Sequence, residues 1–252
     1  MRERTDPLAV IAAMLVVVAA IAIAWSNAWP GAFQFDDYAV IVDETRVHTL
    51  HAWWSSLPGL RPLLKASYLL SWRMGAGNPA AFTAFNVLVH AINALLVFML
   101  ARALLPQIGK SAAASALPAT YAALATALVF ALHPAQTESV TYLSGRSTSL
   151  MALFWLAALV ALLRGTRRAR AAALLLLVAA MATKETAVSW PFVVLLVEAV
   201  RGGRWREALR LARAPFAVAG GCLIAFALLP IYQRLAVAGV DARGPLANLE
   251  AQ

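Results

Sequence analysis

Long runs of apolar residues constrain this sequence more than any other feature. The first run, Leu8 to Ala24, is close in length to the roughly 20 residues that a helix needs to cross the hydrocarbon core of a bilayer. Comparable runs follow at Phe82 to Leu105, Leu117 to Leu132, Leu150 to Leu163 and Pro215 to Ile231. Because the apolar residues are continuous and do not alternate with polar ones, they predict membrane-spanning helices. A chain with 62% hydrophobic and 13% charged residues agrees with lipid as its solvent.

The first run could instead be a secretory signal peptide, since Arg2 and Arg4 precede it. It is long for that role, and no A-x-A-like cleavage site follows it. Trp25 and Trp29 come directly after it, and tryptophan is typical of the membrane interface. We therefore interpret Leu8 to Ala24 as an uncleaved first span.

The region from Ala171 to Val200 is too long for one simple span and is interrupted by Lys184 and Glu185. Arginine clusters flank it at 164–170 and 201–213, and such clusters favour the cytoplasmic side. One tilted helix would place the two clusters on opposite sides, so two short spans meeting at a polar turn are favoured. The sequence thus predicts an all-α transmembrane bundle over 1–252, with about seven spans, a cytoplasmic N-terminus and interfacial helices in the first outer loop.

This topology gathers most of the acidic residues on the outer side, in two long loops, the polar turn and the C-terminal tail. They are Asp36, Asp37, Asp43, Glu44, Glu138, Glu185, Asp241 and Glu250. The net charge of +9 lies in short basic clusters without interleaved aromatic residues, which indicates topology signals and no nucleic-acid partner. The candidates for chemistry therefore share one face of the membrane.

Asp36 and Asp37 open the first outer loop. Adjacent carboxylates near a low-dielectric boundary repel each other, so one could have a raised pKa suited to a general base, or the pair could hold a divalent cation. Two solvated loop acids are the alternative. Further along the loop, Arg61 lies among tryptophan and tyrosine residues, where it could bind a phosphate or serve interfacial anchoring alone.

Inside the second span, Asn86, His90 and Asn93 recur at i, i+4 and i+7, which places them on one helical face. Polar groups are costly at membrane depth, so this face should point into the bundle. Interhelical hydrogen bonding is the favoured interpretation for Asn93. Asn86 and His90 lie nearer the outer end and could line a substrate site.

The second outer loop contains His133, Glu138 and Arg146. A carboxylate at the mouth of the bundle with histidine and arginine nearby could bind a metal, orient a substrate hydroxyl or neutralise a phosphate, although a plain connecting loop could also contain them. In the polar turn, Lys184 and Glu185 could form a salt bridge with each other or within a network, and Lys184 is also a candidate anion ligand.

Several stretches together resemble the N-terminal membrane half of the tetratricopeptide-repeat-linked protein O-mannosyltransferase family, which belongs to the GT-C class of glycosyltransferases. They are FDDYAVIVDE at Phe35, LRPLLKASYLLSWRM at Leu60, FNVLVHAINALLVF at Phe85, FALHPAQTESVTYLSGRS at Phe130 and ATKETAV at Ala182. The resemblance extends from about Phe35 to Val188. Its most specific part is FALHPAQTESV through SGR.

This resemblance implies a sugar transferase acting at the extracytoplasmic face of a membrane, here a bacterial inner membrane with a periplasmic active face. Asp36 or Asp37 would be the base, and Glu138 would help orient substrate or a Mg or Mn ion, with Asp37 and Glu138 as its ligands; no cofactor is otherwise expected. Substrate or lipid-phosphate contacts would come from Arg61, Asn86, His90, His133, Arg146, Lys184 and Glu185, with the cations Arg61, Arg146 and Lys184 on the phosphate side. The donor would be a polyprenyl-phosphate-linked sugar, and the partners the lipid bilayer and an acceptor protein or other membrane subunits.

The sequence departs from the family in two respects. Ser147 and Thr148 stand where the family usually has an acid, and the chain stops at Gln252, without the repeat domain that the resemblance implies. We therefore expect a fragment or a shortened relative. The alternative function is a non-catalytic structural subunit of a larger membrane complex. A transporter fits less well, because the charged residues lie mainly in loops.

Overall fold

The computed structural model describes residues 6–57, 59–108 and 119–230, and within these the chain forms helices and turns without a strand. The helices are α1 Pro7–Ala24, α2 Leu50–Ser55, α3 Pro62–Gly75, α4 Pro79–Ile108, α5 Ala119–Leu132, α6 Thr137–Val140, α7 Arg146–Leu163, α8 Arg167–Met181, α9 Trp190–Val200 and α10 Trp205–Leu228. The all-helical prediction is confirmed for this part of the chain.

Four of the described helices are long and apolar enough to cross a membrane: Pro7–Ala24, Pro79–Gln107, Leu143–Leu163 and Trp205–Leu228. The apolar helix α5 is shorter, at 14 residues. These helices indicate an integral membrane protein. The count of about seven spans and the cytoplasmic N-terminus stay predictions. The termini with Arg2, Arg4, Asp241 and Glu250, and the loop with Lys110, lie outside the described residues.

Local signals explain where several helices begin. The side chain of Asp6 accepts the N–H of Leu8, and Pro7 occupies the first position of α1. Thr166 caps α8 in the same way by accepting the N–H of Ala169. The predicted break in the 171–200 region is present as a turn between α8 and α9.

The last helix begins ten residues before the predicted span at Pro215. The arginine-rich segment ahead of it is helical because it is amphipathic: Ala208 and Ala212 are buried at i, i+4 spacing, while Arg206 and Arg210 are exposed. Pro215 lies inside the helix and is itself buried. The apolar run that predicted the span begins only at Pro215, so it did not include the arginine-rich first part of this helix.

Two buried clusters divide the bundle. The first joins α1, α4 and α5, where a stripe of small residues on α5, Ala123, Ala127 and Ala131, is fully buried. Small residues let helix backbones approach closely. The second joins α7, α8, α9 and α10 around Trp190. The long helix α4 also contacts α3 and α7, so it connects both parts of the bundle.

A third cluster lies beneath the loops, between the turns that follow α1 and the start of α7. It consists of Ile41, Val47, Leu64, Tyr68, Phe82 and Leu143. The first loop, α3 and the second loop thus share a common apolar base. This base positions the candidate site described below.

We expect Ala127→Leu to lower the thermal unfolding midpoint of the protein in lipid nanodiscs. The added side chain has no room between α5 and its neighbours, and overpacking typically costs about 1–3 kcal/mol. Ala125→Leu is the matched control, because Ala125 lies on the same helix and is exposed. Equal midpoints for the two variants would contradict the packing of α5 described above.

Candidate functional site

A buried arginine at the start of α7 joins three helices. Arg146 has no exposed surface, and its Nε donates to Oδ1 of Asn86 at 2.7 Å. Nη1 donates to the carbonyl oxygen of Ser67 at 2.9 Å and to the hydroxyl of Ser71 at 3.0 Å, while Nη2 donates to the carbonyl oxygen of Phe82 at 3.0 Å. A buried charge is tolerated only when such partners satisfy it. The guanidinium therefore fixes α3, α4 and α7 at one point.

Aromatic rings surround the same guanidinium. Its carbon lies 4.4 Å from the ring centre of Phe85, 5.0 Å from Tyr68 and 5.3 Å from Phe82, all within the range of cation–π attraction. Burial, the largest effect, raises the pKa of Tyr68, so its phenol stays protonated. A phosphate group would have to enter this aromatic cluster to reach Arg146.

Asp37 is fully buried and holds two loops together. Its Oδ2 accepts the N–H of Gln34 at 2.9 Å, and its Oδ1 accepts the N–H of Ser144 at 2.7 Å. Its negative charge also interacts with the buried cation of Arg146. The first loop is therefore fixed to the second through this carboxylate.

Asp36, its neighbour, has an exposed side chain. Its backbone N–H donates to the hydroxyl oxygen of Tyr142 at 3.2 Å, which holds the backbone against the second loop while leaving the carboxylate outside. The preceding residue, Phe35, has φ 45° and is 83% exposed. Of the two adjacent aspartates, Asp36 is thus the one that a substrate can reach from solvent.

The second loop passes very close to itself at Gly145. A Cβ atom there would lie 2.1 Å from the carbonyl oxygen of Glu138, so no larger residue fits without moving the backbone. The side chain of Glu138 is exposed on α6. His133 is also exposed, and its Nδ1 accepts the N–H of Ala135 at 3.1 Å within a local turn. The backbone of Glu138 therefore packs against Gly145, in the same segment whose Tyr142 and Ser144 contact Asp36 and Asp37.

The polar face of α4 points into the bundle, as predicted. The side chains of Asn86, His90 and Asn93 are buried and donate to backbone carbonyl oxygens of Val140 at 3.2 Å, Ala131 at 2.9 Å and Ser149 at 2.8 Å, respectively. The hydrogen bonding expected for Asn93 is confirmed. Asn86 and His90 make the same kind of bond, so all three join α4 to the elements around it.

Cationic side chains lie on the other side of the α7 start. Arg61 donates to both carboxylate oxygens of Glu185, with Nη2 to Oε2 at 2.8 Å and Nε to each oxygen at 3.1 Å. Lys184 donates to the hydroxyl of Thr148 at 2.7 Å. Glu185 therefore pairs with Arg61 of the first loop, and the side chain of Lys184 reaches the first turn of α7.

Sequence reasoning placed Glu44 among the outer acids but did not predict the ion pairs that it forms in the first loop. Glu44 accepts from Arg46, and Lys65 donates to Glu44 at 3.4 Å. Burial would raise the pKa of Glu44, but the hydrogen bond from Arg46 and the charge of Lys65 outweigh it and lower that pKa. Burial also lowers the pKa of Lys65. These three residues form an ion-pair network beside α3.

Four other contributors were also missed, namely Tyr142, Ser144, Ser67 and Ser71, and Thr148 was noted only as a departure from the family. Ser67 and Ser71 stand at i, i+4 on α3, and this spacing could have indicated a common polar face. For Tyr142 and Ser144 the sequence carries no signal, because their role depends on how the second loop meets the first.

The predicted divalent cation stays a prediction. Within residues 6–57, 59–108 and 119–230, no three His, Cys, Asp or Glu side chains come together in a way that could hold a metal. Both oxygens of Asp37 already accept backbone N–H groups. A carboxylate has lone pairs beyond these two bonds, so Asp37 retains capacity for a further ligand.

Comparisons with known proteins give a consistent result. Protein O-mannosyl-transferase Tmtc1 of Drosophila melanogaster is 32% identical over 133 residues, which are 51% of this chain and 14% of that protein. Protein O-mannosyl-transferase TMTC4 of Homo sapiens is 30% identical over 161 residues, and Protein O-mannosyl-transferase TMTC3 of Mus musculus 27% identical over 159 residues. The relatives of this chain are protein O-mannosyl-transferases. The resemblance predicted from the sequence is thereby confirmed.

These O-mannosyl-transferases are much longer than the shared region. The match covers 57% of this chain but 22% of TMTC4 and 16% of TMTC3. No family model matches the chain, and no solved structure matches it. The similarity therefore concerns only a part, less than a quarter, of each of these transferases.

We expect Arg146→Gln to destabilise the protein strongly. The variant leaves the buried acceptor oxygens of Asn86 and Phe82 without their donors. Each unsatisfied group typically lowers the free energy of unfolding by about 1–3 kcal/mol. The thermal unfolding midpoint should fall by at least about 5 °C. Arg73→Gln is the matched control, since Arg73 is exposed on α3 and its loss removes the same charge. A midpoint that falls equally in both variants would contradict the role of Arg146.

We expect Asp37→Asn to lower the free energy of unfolding by about 1–3 kcal/mol, because the amide nitrogen would face a backbone N–H donor. Asp36→Asn should leave it unchanged, since that side chain is exposed. Chemical or thermal unfolding of the two variants in nanodiscs makes the comparison. The reverse order of stabilities would show that Asp37 does not hold the loops.

Proposed function

We propose that this protein is a GT-C-type membrane glycosyltransferase, or the membrane portion of one, that transfers a sugar from a polyprenyl-phosphate donor to a hydroxyl of an acceptor protein. Mannose is the sugar that the names of its relatives suggest. In this proposal about seven spans carry the site, which faces the extracytoplasmic side of a bacterial inner membrane. The observation that carries the proposal is the exposed carboxylate of Asp36, held on a rigid turn between two loops.

Asp36 acts as the general base. The acceptor hydroxyl gives its proton to the carboxylate while its oxygen attacks the anomeric carbon of the donor. The bond between that carbon and the phosphate oxygen breaks, polyprenyl phosphate leaves with the electron pair, and the configuration at the anomeric carbon inverts. A positioned base of this kind typically contributes about 10²–10⁴-fold to the rate.

Asp37 supports this step by positioning Asp36. Its two bonds to backbone N–H groups fix the turn of residues 34–37 against Ser144. Glu138 is attached to the same segment and orients the acceptor from the other loop. If a Mg or Mn ion binds, Asp37 and Glu138 are its proposed ligands, and it would supply charge stabilisation at the phosphate.

Cationic groups stabilise the leaving phosphate. Lys184 and Arg61 are only half-buried, so both are accessible to a donor entering from the membrane. Arg61 presents the planar fork that matches a phosphate, and its present partner Glu185 is a carboxylate of similar geometry. A donor phosphate would therefore share or replace the contact with Glu185.

The test compares sugar transfer from polyprenyl-phosphate mannose in membranes containing the wild-type protein, Asp36→Asn or Asp43→Asn. Asp36→Asn should lose at least about 10²-fold in activity with its unfolding midpoint unchanged. Asp43, an exposed acid in the same loop, is the matched control and should retain activity when replaced. Full activity in Asp36→Asn would exclude it as the base.

The second candidate is a non-catalytic structural subunit. It is favoured by the pairing of Lys184 with Thr148, at a position where the resemblance leads us to expect an acid. This candidate predicts a folded wild-type protein that transfers no sugar from any polyprenyl-phosphate donor and co-purifies with other membrane subunits. Transfer by the wild-type protein would exclude it.

A further inference from the structure

A phenylalanine beside the proposed base is held in an unfavourable backbone conformation. Phe35 has φ 45°, in the left-handed region that bulky side chains avoid. Such strain persists where the surroundings impose it, frequently at functional sites. Within the described residues, the other non-glycine residues with positive φ are Arg61 and Ala76. Two of the three are therefore connected with the proposed site, since Arg61 belongs to it and Phe35 precedes Asp36.

The surrounding hydrogen bonds impose this conformation. The N–H of Gln34 is bound by the carboxylate of Asp37, and the N–H of Asp37 donates to the carbonyl oxygen of Gln34 at 2.8 Å. On the other side, the N–H of Asp36 is bound by Tyr142. Phe35 is therefore fixed at its backbone from both sides, while its ring has no place in the core.

The result is an open aromatic surface next to a carboxylate. The ring of Phe35 meets that of Tyr142 at a centroid distance of 6.4 Å and an interplanar angle of 75°, which is an edge-to-face arrangement. The side chain nonetheless remains 83% exposed. The exposed ring of Phe35 can contact an apolar surface, and the carboxylate of the next residue, Asp36, can accept hydrogen bonds. Together they suit a ligand with one apolar face and several hydroxyl groups.

We infer that the ring of Phe35 forms a stacking platform for a hexose ring, with Tyr142 supporting it edge to face and Asp36 beside it to accept hydrogen bonds from the sugar or acceptor hydroxyls. This inference rests on the proposed function, since it names the residues that bind the transferred sugar. The C–H bonds on one face of a pyranose are weakly positive, and the face of an aromatic ring is weakly negative. Sugar stacking uses this match.

Membrane anchoring is the competing explanation, and the structure offers a comparison. Trp54 is 68% exposed but lies in the regular helix α2, without backbone strain. An interfacial anchor needs only an exposed ring. The strained backbone at Phe35 fixes the position of the ring relative to Asp36, which anchoring does not require and sugar positioning does.

Binding is tested first, without a donor. Saturation-transfer NMR with methyl mannoside and the protein in nanodiscs should show transfer to the C–H protons of the sugar. The signal should be lost in Phe35→Leu, which keeps an apolar side chain without a ring, and retained in Phe35→Trp. Trp54→Leu is the matched control and should retain the signal. A signal unaffected by Phe35→Leu, or no signal from the wild-type protein, overturns the inference.

A stability measurement separates this role from a structural one. In Phe35→Gly the backbone strain disappears, because glycine populates positive φ readily. Its unfolding midpoint should be equal to or above that of the wild type, while sugar binding is lost. A lower midpoint together with lost binding would indicate that the ring is needed for folding and would overturn the inference.

Transfer is measured last, with polyprenyl-phosphate mannose as donor. Phe35→Leu should reduce kcat/KM by about 5- to 10-fold, in keeping with the strength of aromatic contacts. An unchanged kcat/KM would overturn the inference. The wild-type protein could also bind the sugar through Phe35 and yet transfer none. That result would support the platform and contradict the proposed function, so the inference and the proposed function can fail separately.

Discussion

The buried guanidinium of Arg146 is the contact on which the candidate site depends. It binds groups from α3, α4 and the start of α7, and it does so where no water reaches it. A flexible ammonium group could not bind the same acceptors, because the planar guanidinium presents its donors in a fixed geometry. The loops above it inherit this rigidity, since the segment 142–148 that carries Arg146 also contacts both aspartates, Glu138 and Lys184.

The adjacent aspartates show how one turn can separate two roles. Asp37 is enclosed and bound to backbone N–H groups, whereas Asp36 faces solvent. Neighbouring residues in a turn point in different directions, so an identical pair of side chains meets two environments. One acid gives the loop its shape and leaves the other available for chemistry. The same turn accounts for the strained backbone at Phe35.

The long apolar helices could be predicted from the sequence because hydropathy is a local property, and the face of Asn86, His90 and Asn93 followed from helical periodicity. The start of α10 could not, since its exposed arginines concealed the buried stripe of Ala208 and Ala212. The partners of the site residues were also beyond prediction. Most are backbone groups of distant segments, which any sequence supplies, so no residue type marks them. The difference in burial between Asp36 and Asp37 likewise depends on tertiary contacts, which the sequence does not reveal.

The first helix has one further consequence. Its buried residues are Ala13, Val17 and Ile21, a single narrow stripe, while most of its remaining apolar surface is exposed. An apolar groove of about 470 Å³ runs between α1 and α4 and is lined by residues such as Trp25 and Val87. Protein contacts therefore hold α1 along one stripe, and in a bilayer lipid would cover most of its remaining surface. During solubilisation, the choice of amphiphile and the retention of native lipid would decide whether this helix stays docked.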